Sequence, residues 1–188
     1  MKYQTIVVLG KPGSGKGTQV RLLSEKSGFR IFTASDHLRK LAAAHPIAGE
    51  RIIDDMEQGV LVPHWIMSSL WIMDMMDLKP EEGIIFDGAV RKLEEATLFN
   101  DVMNWFGRPF VIVHLTISDE ELRTRLTKRE GLEGRTDDAK ATVMRRLEQY
   151  EENTRPALDF FKEKGVLLEV NGEGSIEEIH ANIIKTLS

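Results

Sequence analysis

Gly10-Lys11-Pro12-Gly13-Ser14-Gly15-Lys16-Gly17-Thr18 is the stretch whose reading decides the fold. It follows the apolar run Thr5-Ile6-Val7-Val8-Leu9 and leads into a helical pattern over residues 16–27. A buried strand, a glycine loop and a helix, in that order, form the context a phosphate-binding loop requires. Glycines let backbone N–H groups curl around an anion, and the helix N-terminus adds partial positive charge. In such a loop Gly13, Ser14, Gly15, Gly17 and Thr18 line the phosphates, and Lys16 reaches the outer two. The position after Lys16, usually a Mg²⁺-binding hydroxyl, is Gly17, and the hydroxyl comes one residue later at Thr18.

Outward from this loop, apolar runs bounded by turn residues alternate with amphipathic stretches. Strands are predicted over 5–9, 30–33, 83–86, 110–115 and 166–170, and helices over 16–27, 35–44, 47–58, 63–77, 92–106, 119–128, 138–164 and 175–187. The alternation implies an α/β fold of the P-loop NTPase type. Its five-stranded parallel sheet is flanked by helices and takes ligands at the strands' C-terminal ends. No repeat or linker divides residues 1–188 into separate domains. Residues 33–62 form a helical insertion larger than a simple crossover needs.

Composition excludes several functions. With 41% hydrophobic and 29% charged residues among 188, the chain is globular. No apolar run reaches the roughly 18 residues of a bilayer span. The N-terminal run ends in glycines rather than a cleavage site, so it reads as a strand and not a signal peptide. Cysteine is absent, which excludes disulfides, thiolate zinc sites and cysteine nucleophiles. A net charge of −5 argues against general nucleic-acid binding without excluding a locally positive phosphate pocket. A cytoplasmic monomer with no membrane partner is expected.

The loop variant, with Pro12 and Gln19, resembles the GxPGxGKGTQ loop of the adenylate kinase family, and the likeness runs through nearly the whole chain. Thr33-Ala34-Ser35-Asp36-His37-Leu38-Arg39 is similar to the family's STGDxLR segment, and Gly59-Val60-Leu61-Val62-Pro63 to its GxLVPD stretch. Asp87-Gly88-Ala89-Val90-Arg91 resembles DGFPR. Arg125, Arg129, Gly134-Arg135-Thr136-Asp137-Asp138, Arg146 and Tyr150 match the RLxxR…GRxDD…RL…Y arrangement.

The resemblance implies Mg²⁺-dependent transfer of the ATP γ-phosphoryl group to a nucleoside monophosphate, AMP by default, in nucleotide biosynthesis. It implies that Lys16, Arg91, Arg129, Arg135 and Arg146 are catalytic and that Arg125 stacks on the donor adenine. Asp87 would hold the Mg²⁺ through water. Thr33, Ala34, Arg39, Gly59, Val60, Val62, Gly88, Arg91, Glu95, Arg135 and Arg146 would hold the monophosphate. Residues 33–62 would be the acceptor-binding segment and residues 125–136 a short lid, both closing over the ligands. Five residues between Arg129 and Arg135 leave no room for the long-lid module.

The chain departs from the family at four places. His64 replaces an Asp that caps a helix, a structural change rather than a catalytic histidine. Ala89-Val90 replaces Phe-Pro, so the loop is either trans or held strained. Ala34 replaces a threonine. Glu95 stands where relatives that use AMP carry a base-reading glutamine; an ionised carboxylate suits the N1–H and N2–H₂ edge of guanine better. Unless Glu95 turns away and AMP is held by backbone contacts, GMP is the alternative acceptor. An ATPase or nucleotide sensor with a decayed acceptor site, and a kinase of a small non-nucleotide acceptor, are the other readings.

Overall fold

The computed structural model describes residues 2–130 and 140–187. Its five strands are β1 (Thr5–Gly10), β2 (Arg30–Thr33), β3 (Ile84–Asp87), β4 (Phe110–Thr116) and β5 (Leu167–Asn171). All pair in parallel, in the order β2-β3-β1-β4-β5. A parallel sheet covered by helices on both faces needs continuous apolar strands, and every residue of β1 is buried. Its side chains alternate between two cores. Ile6 and Val8 face α1 (Lys16–Ser27) and α9 (Ile176–Leu187), against Val20, Leu23, Ile179 and Ile183.

Val7 and Leu9 face the other core, built largely by α4 (His64–Met76), α5 (Leu93–Phe106) and α8 (Arg155–Glu163). Phe99 of α5 is its hub. The ring meets Trp71 at 5.2 Å, Phe86 at 5.5 Å and Phe110 at 5.3 Å, all edge-on. Edge-to-face packing at these separations adds to burial. Phe99→Ala is therefore expected to destabilise the fold by about 3–5 kcal/mol in urea unfolding. A loss under about 1 kcal/mol would mean that the neighbouring rings collapse into the cavity.

The sheet order sets the site. Central β1 lies between β3 and β4, so the loops after β1 and β3 open side by side at the C-terminal edge. Between β2 and α4 the chain inserts α2 (Ala34–Ala44) and α3 (Pro46–Glu57). These two pack closely because Gly49 has no Cβ to strike the Ala42 carbonyl. Helix α4 starts at His64 with Pro63 at its N-cap and no side-chain cap, so position 64 is the first helical residue rather than the capping one.

The predicted helix over 138–164 is corrected. It is α7 (Lys140–Gln149), a π-helical turn over Tyr150–Thr154, and α8. The turn buries Tyr150 and Thr154, and the Tyr150 hydroxyl lies 2.8 Å from His114 Nε2 on β4. Burial pushes Tyr150 up to about 12 and lowers His114, so the pair is neutral and ties the C-terminal helices to the sheet. The helix expected over 119–128 extends two residues further, as α6 (Asp119–Glu130). No helix among the described residues is long and apolar enough to cross a membrane.

Candidate active site

The loop after β1 owes its shape to glycines. Gly13 and Gly15 have φ of +86° and +90°, a region L side chains rarely adopt. Gly10 passes so close to β4 that a Cβ would sit 2.7 Å from the Leu115 carbonyl oxygen. Ser14 is wholly buried at the turn. Lys16 Nζ donates at 2.8 Å to the carbonyls of Gly10 and Lys11 and lies 3.5 Å from Ser14 Oγ. These carbonyls hold the ammonium at the loop that α1 begins from, with Gly17 and Thr18 in the first turn.

Helix α6 braces the loop from outside. Asp119 pairs with Lys11 at 2.6 Å, which holds the Asp119 carboxyl below its usual range. Arg125 Nη1 donates to the Ser14 carbonyl at 3.4 Å, and its Nε pairs with Glu121 at 2.7 Å. Glu121 was not among the predicted residues, although its i,i+4 spacing to Arg125 is the signal for such a pair. Arg125 thus lies against the loop, beside the Ser14 carbonyl. Arg135 and the side chain of Arg129 lie outside the described residues, as do Asp137 and Asp138.

On the adjoining strand, β3 ends at Asp87, in register with Val8 of β1 and Thr33 of β2. A Cβ on Gly17 would be 3.6 Å from Asp87 Oδ2, so the carboxylate faces the first turn of α1. Gly88, at φ +80°, lets the chain fold back: a Cβ there would be 2.5 Å from Arg91 Nη2 and 3.5 Å from Ala34 Cβ. The Arg91 residue keeps some exposure while its guanidinium lies deep. Burial lowers Arg91, offset by the charges of Asp87 and Glu95, with Arg146 acting in the same direction as burial. Asp87, Arg91, Glu95 and Arg146 are one electrostatic cluster.

No peptide bond among the described residues is cis. Instead Val90 has φ +59°, the sole non-glycine residue there with positive φ. For a β-branched side chain this costs about 1–2 kcal/mol. Val90 and its neighbour Ala89 are completely buried. Glu95 is also buried, at 3% exposure, rather than turned to solvent. Its Oε2 accepts from the Arg91 backbone N–H at 3.0 Å, and the Val90 N–H also donates to the carboxylate. Burial pushes Glu95 up to about 7, against the opposing effects of these N–H groups and of the Arg91 and Lys92 charges.

The segment expected to wall the acceptor base is fixed by α7. A Cβ on Gly59 would meet Arg146 Cγ and the Thr142 carbonyl, each at 3.0 Å. Leu61 N–H donates to Gln149 Oε1 at 3.4 Å, and Lys92 Nζ to the Leu61 carbonyl at 3.4 Å. Val62 and Ala34 are buried, with Val60 and Thr33 partly so. Arg39 stands apart from the buried cluster: its side chain is 56% exposed and 3.5 Å from Asp36.

The adenylate kinase family profile matches residues 8–166, a span from β1 to the approach to β5. An adenylate kinase of Thermus thermophilus is 38% identical over 181 residues, covering 96% of this chain and 95% of its own. That of Prochlorococcus marinus is 35% identical, with 97% and 98% covered. Human adenylate kinase isoenzyme 1 is 30% identical, with 97% and 93% covered. With matches of this extent laid over a glycine loop and an arginine cluster on adjoining strands, the chain belongs to the adenylate kinase family.

Proposed function

We propose that the chain transfers the γ-phosphoryl group of ATP reversibly to AMP, giving two ADP. The observation that carries this reading is that two cation-bearing groups of residues follow adjoining strands at one edge of the sheet. One is the Lys16 loop after β1. The other is Arg91 after β3 with Arg146 of α7 acting on it, and Asp87 lies near both sites. Two such sites suit a reaction whose donor and acceptor both bear phosphate.

Phosphoryl transfer needs the two phosphates in line, their charge offset and water kept out. Gly13, Ser14, Gly15, Gly17 and Thr18 present the loop to the ATP phosphates, Lys16 binds the outer ones, and Arg125 covers the donor base. Arg91 and Arg39 hold the acceptor phosphate by their planar forks, leaving one oxygen to attack. Arg146, joined by Arg129 and Arg135, offsets charge on the transferring group. Thr33, Ala34, Gly59, Val60, Val62 and Gly88 wall the acceptor, held with residues 33–62. The acceptor attacks as its dianion, so no side chain removes a proton.

Asp87 and Thr18 supply hard oxygen donors beside Lys16, which fits Mg²⁺, an ion that keeps its waters and binds through a carboxylate and phosphates. Bound there, Mg²⁺ offsets charge on the ATP phosphates. The reading includes a monomer, since the short stretch between Arg129 and Arg135 adds no module for a second copy to pack on. It also includes a cytoplasmic setting, since a cysteine-free chain needs no oxidising compartment.

ADP formation from ATP and Mg²⁺, with AMP, GMP, CMP and UMP offered separately, tests the proposal. AMP is expected to give the highest kcat/KM by at least about tenfold. A preference for GMP would replace the acceptor. ATP loss indifferent to every monophosphate would sink the kinase reading.

A further inference from the structure

The cluster after β3 contains a costly feature that phosphate binding does not use. A carboxylate with 3% exposure sits beside a completely buried valine whose backbone is left-handed. Each is unfavourable alone, and both precede or open helix α5. Lys92 is the helix N-cap and Glu95 its third residue. A glutamate at that position ordinarily reaches back to the N-cap N–H. Here it reaches one and two residues further, to Arg91 and Val90. Those are the residue that carries the guanidinium and the one that bears the strain.

We propose that Glu95 is a positioning residue, whose carboxylate holds the Val90 and Arg91 backbone N–H groups and thereby aims Arg91 at the acceptor phosphate. It does not select the acceptor base. The proposal rests on the reading of Arg91 as an acceptor-phosphate clamp.

The geometry explains why a carboxylate suits this place. Two N–H groups converge on it, and the N-terminal end of α5 favours negative charge in its first turn. The Arg91 guanidinium and the Lys92 ammonium face it with opposite charge, while Asp87 and Arg146 act on it through Arg91. Without Glu95, the two N–H groups lose their acceptor, and core packing alone is left to oppose relaxation of Val90 toward negative φ. Arg91 follows Val90 directly, so a change in the Val90 dihedral swings the guanidinium away from Gly88.

Glu95→Ala, Glu95→Gln, Val90→Gly and the Val90→Gly/Glu95→Ala double variant test this. The readouts are amide hydrogen exchange at residue 91, KM for ATP, and kcat/KM for AMP, GMP, CMP and UMP. E95A is expected to speed exchange at Arg91 about tenfold or more. It should lower kcat/KM for all four monophosphates by one common factor of about ten, with KM for ATP unchanged. E95Q keeps an acceptor oxygen and should fall between E95A and the unmutated chain. Glycine adopts positive φ without strain, so the double variant should lose less than E95A.

Unchanged exchange at Arg91 in both Glu95 variants would overturn the proposal. So would an AMP-to-GMP ratio moved more than about tenfold by E95Q, because that is the mark of base reading. Should E95A fail to fold, E95Q alone decides, by faster or unchanged exchange. If the unmutated chain makes no ADP with any monophosphate, the kinase reading fails separately, and exchange still tests the clamp.

Discussion

Lys16→Met is expected to lower kcat/KM for ATP by about 10³-fold, within the range that a charge placed on the transferring phosphoryl group supplies. The substitution keeps an unbranched side chain one atom shorter and removes its charge. In the structure the ammonium is held by the carbonyls of Gly10 and Lys11, both part of the loop that wraps the phosphates. Those two bonds are worth about 1 kcal/mol each, so the fold should survive their loss. Melting temperature separates the two effects: a shift of a few degrees beside a thousandfold loss of rate assigns Lys16 to chemistry. Lys16→Arg should recover little, because a planar fork does not fit a place shaped for a point charge. Activity of K16M within tenfold of the unmutated chain would remove Lys16 from the phosphate site.

That lysine was legible in the sequence because strand, glycine loop and helix adjoin along the chain. The same locality made the strands legible. β1 and the first four residues of β4 are mainly apolar and buried, as strands covered on both faces must be, and both strands lie within a residue or two of their predicted bounds. The α7–α8 break was not legible. Helical periodicity runs on through residues 138–164, and the one extra residue per turn at Tyr150–Thr154 changes which face points inward without changing composition. What favours the break is Tyr150 reaching His114, a partner 36 positions away.

Glu95 and Val90 stood out in the sequence as departures from the family, but their states were not legible for a related reason. Glu95 read as facing the acceptor base or turned away, and the Ala89-Val90 loop as trans or held strained. Their actual states depend on each other. The left-handed Val90 turns its N–H toward Glu95, and the buried carboxylate is tolerated because Arg91 and Lys92 flank it. Gly88 was singled out only by resemblance. Its physical reason, room for Arg91 Nη2, exists only once the loop has folded back on itself. Arg39 was named by the same resemblance, yet nothing local to it distinguishes a phosphate clamp from the exposed pair it makes with Asp36.

Arg91→Lys is the second large effect, expected to cost about 10²–10³-fold in kcat/KM for AMP while KM for ATP changes less than about threefold. Charge is conserved in this substitution, so the loss measures geometry. The guanidinium folds over Gly88 and lies among Asp87, Glu95 and Arg146, where its fork can face two phosphate oxygens at once. An ammonium is more compact and more strongly hydrated, and burial that lowers even Arg91 would press harder on a lysine. A share of R91K molecules would then be neutral, leaving Asp87 and Glu95 opposed only by Arg146 and Lys92. Raising the pH from about 8.5 to 9.5, where Glu95 is already ionised, should therefore weaken AMP use by R91K further and leave the unmutated enzyme nearly flat, because a guanidinium does not titrate there. Arg91→Ala is a poorer probe, since removing the charge opposite the buried Glu95 carboxylate costs about 3–5 kcal/mol of stability by itself. If R91K matched the unmutated chain in kcat/KM for AMP, the second phosphate site would have to be sought elsewhere, at Arg39 or Arg146. The pairing of two cationic sites at one edge of the sheet would then need a new partner for Lys16.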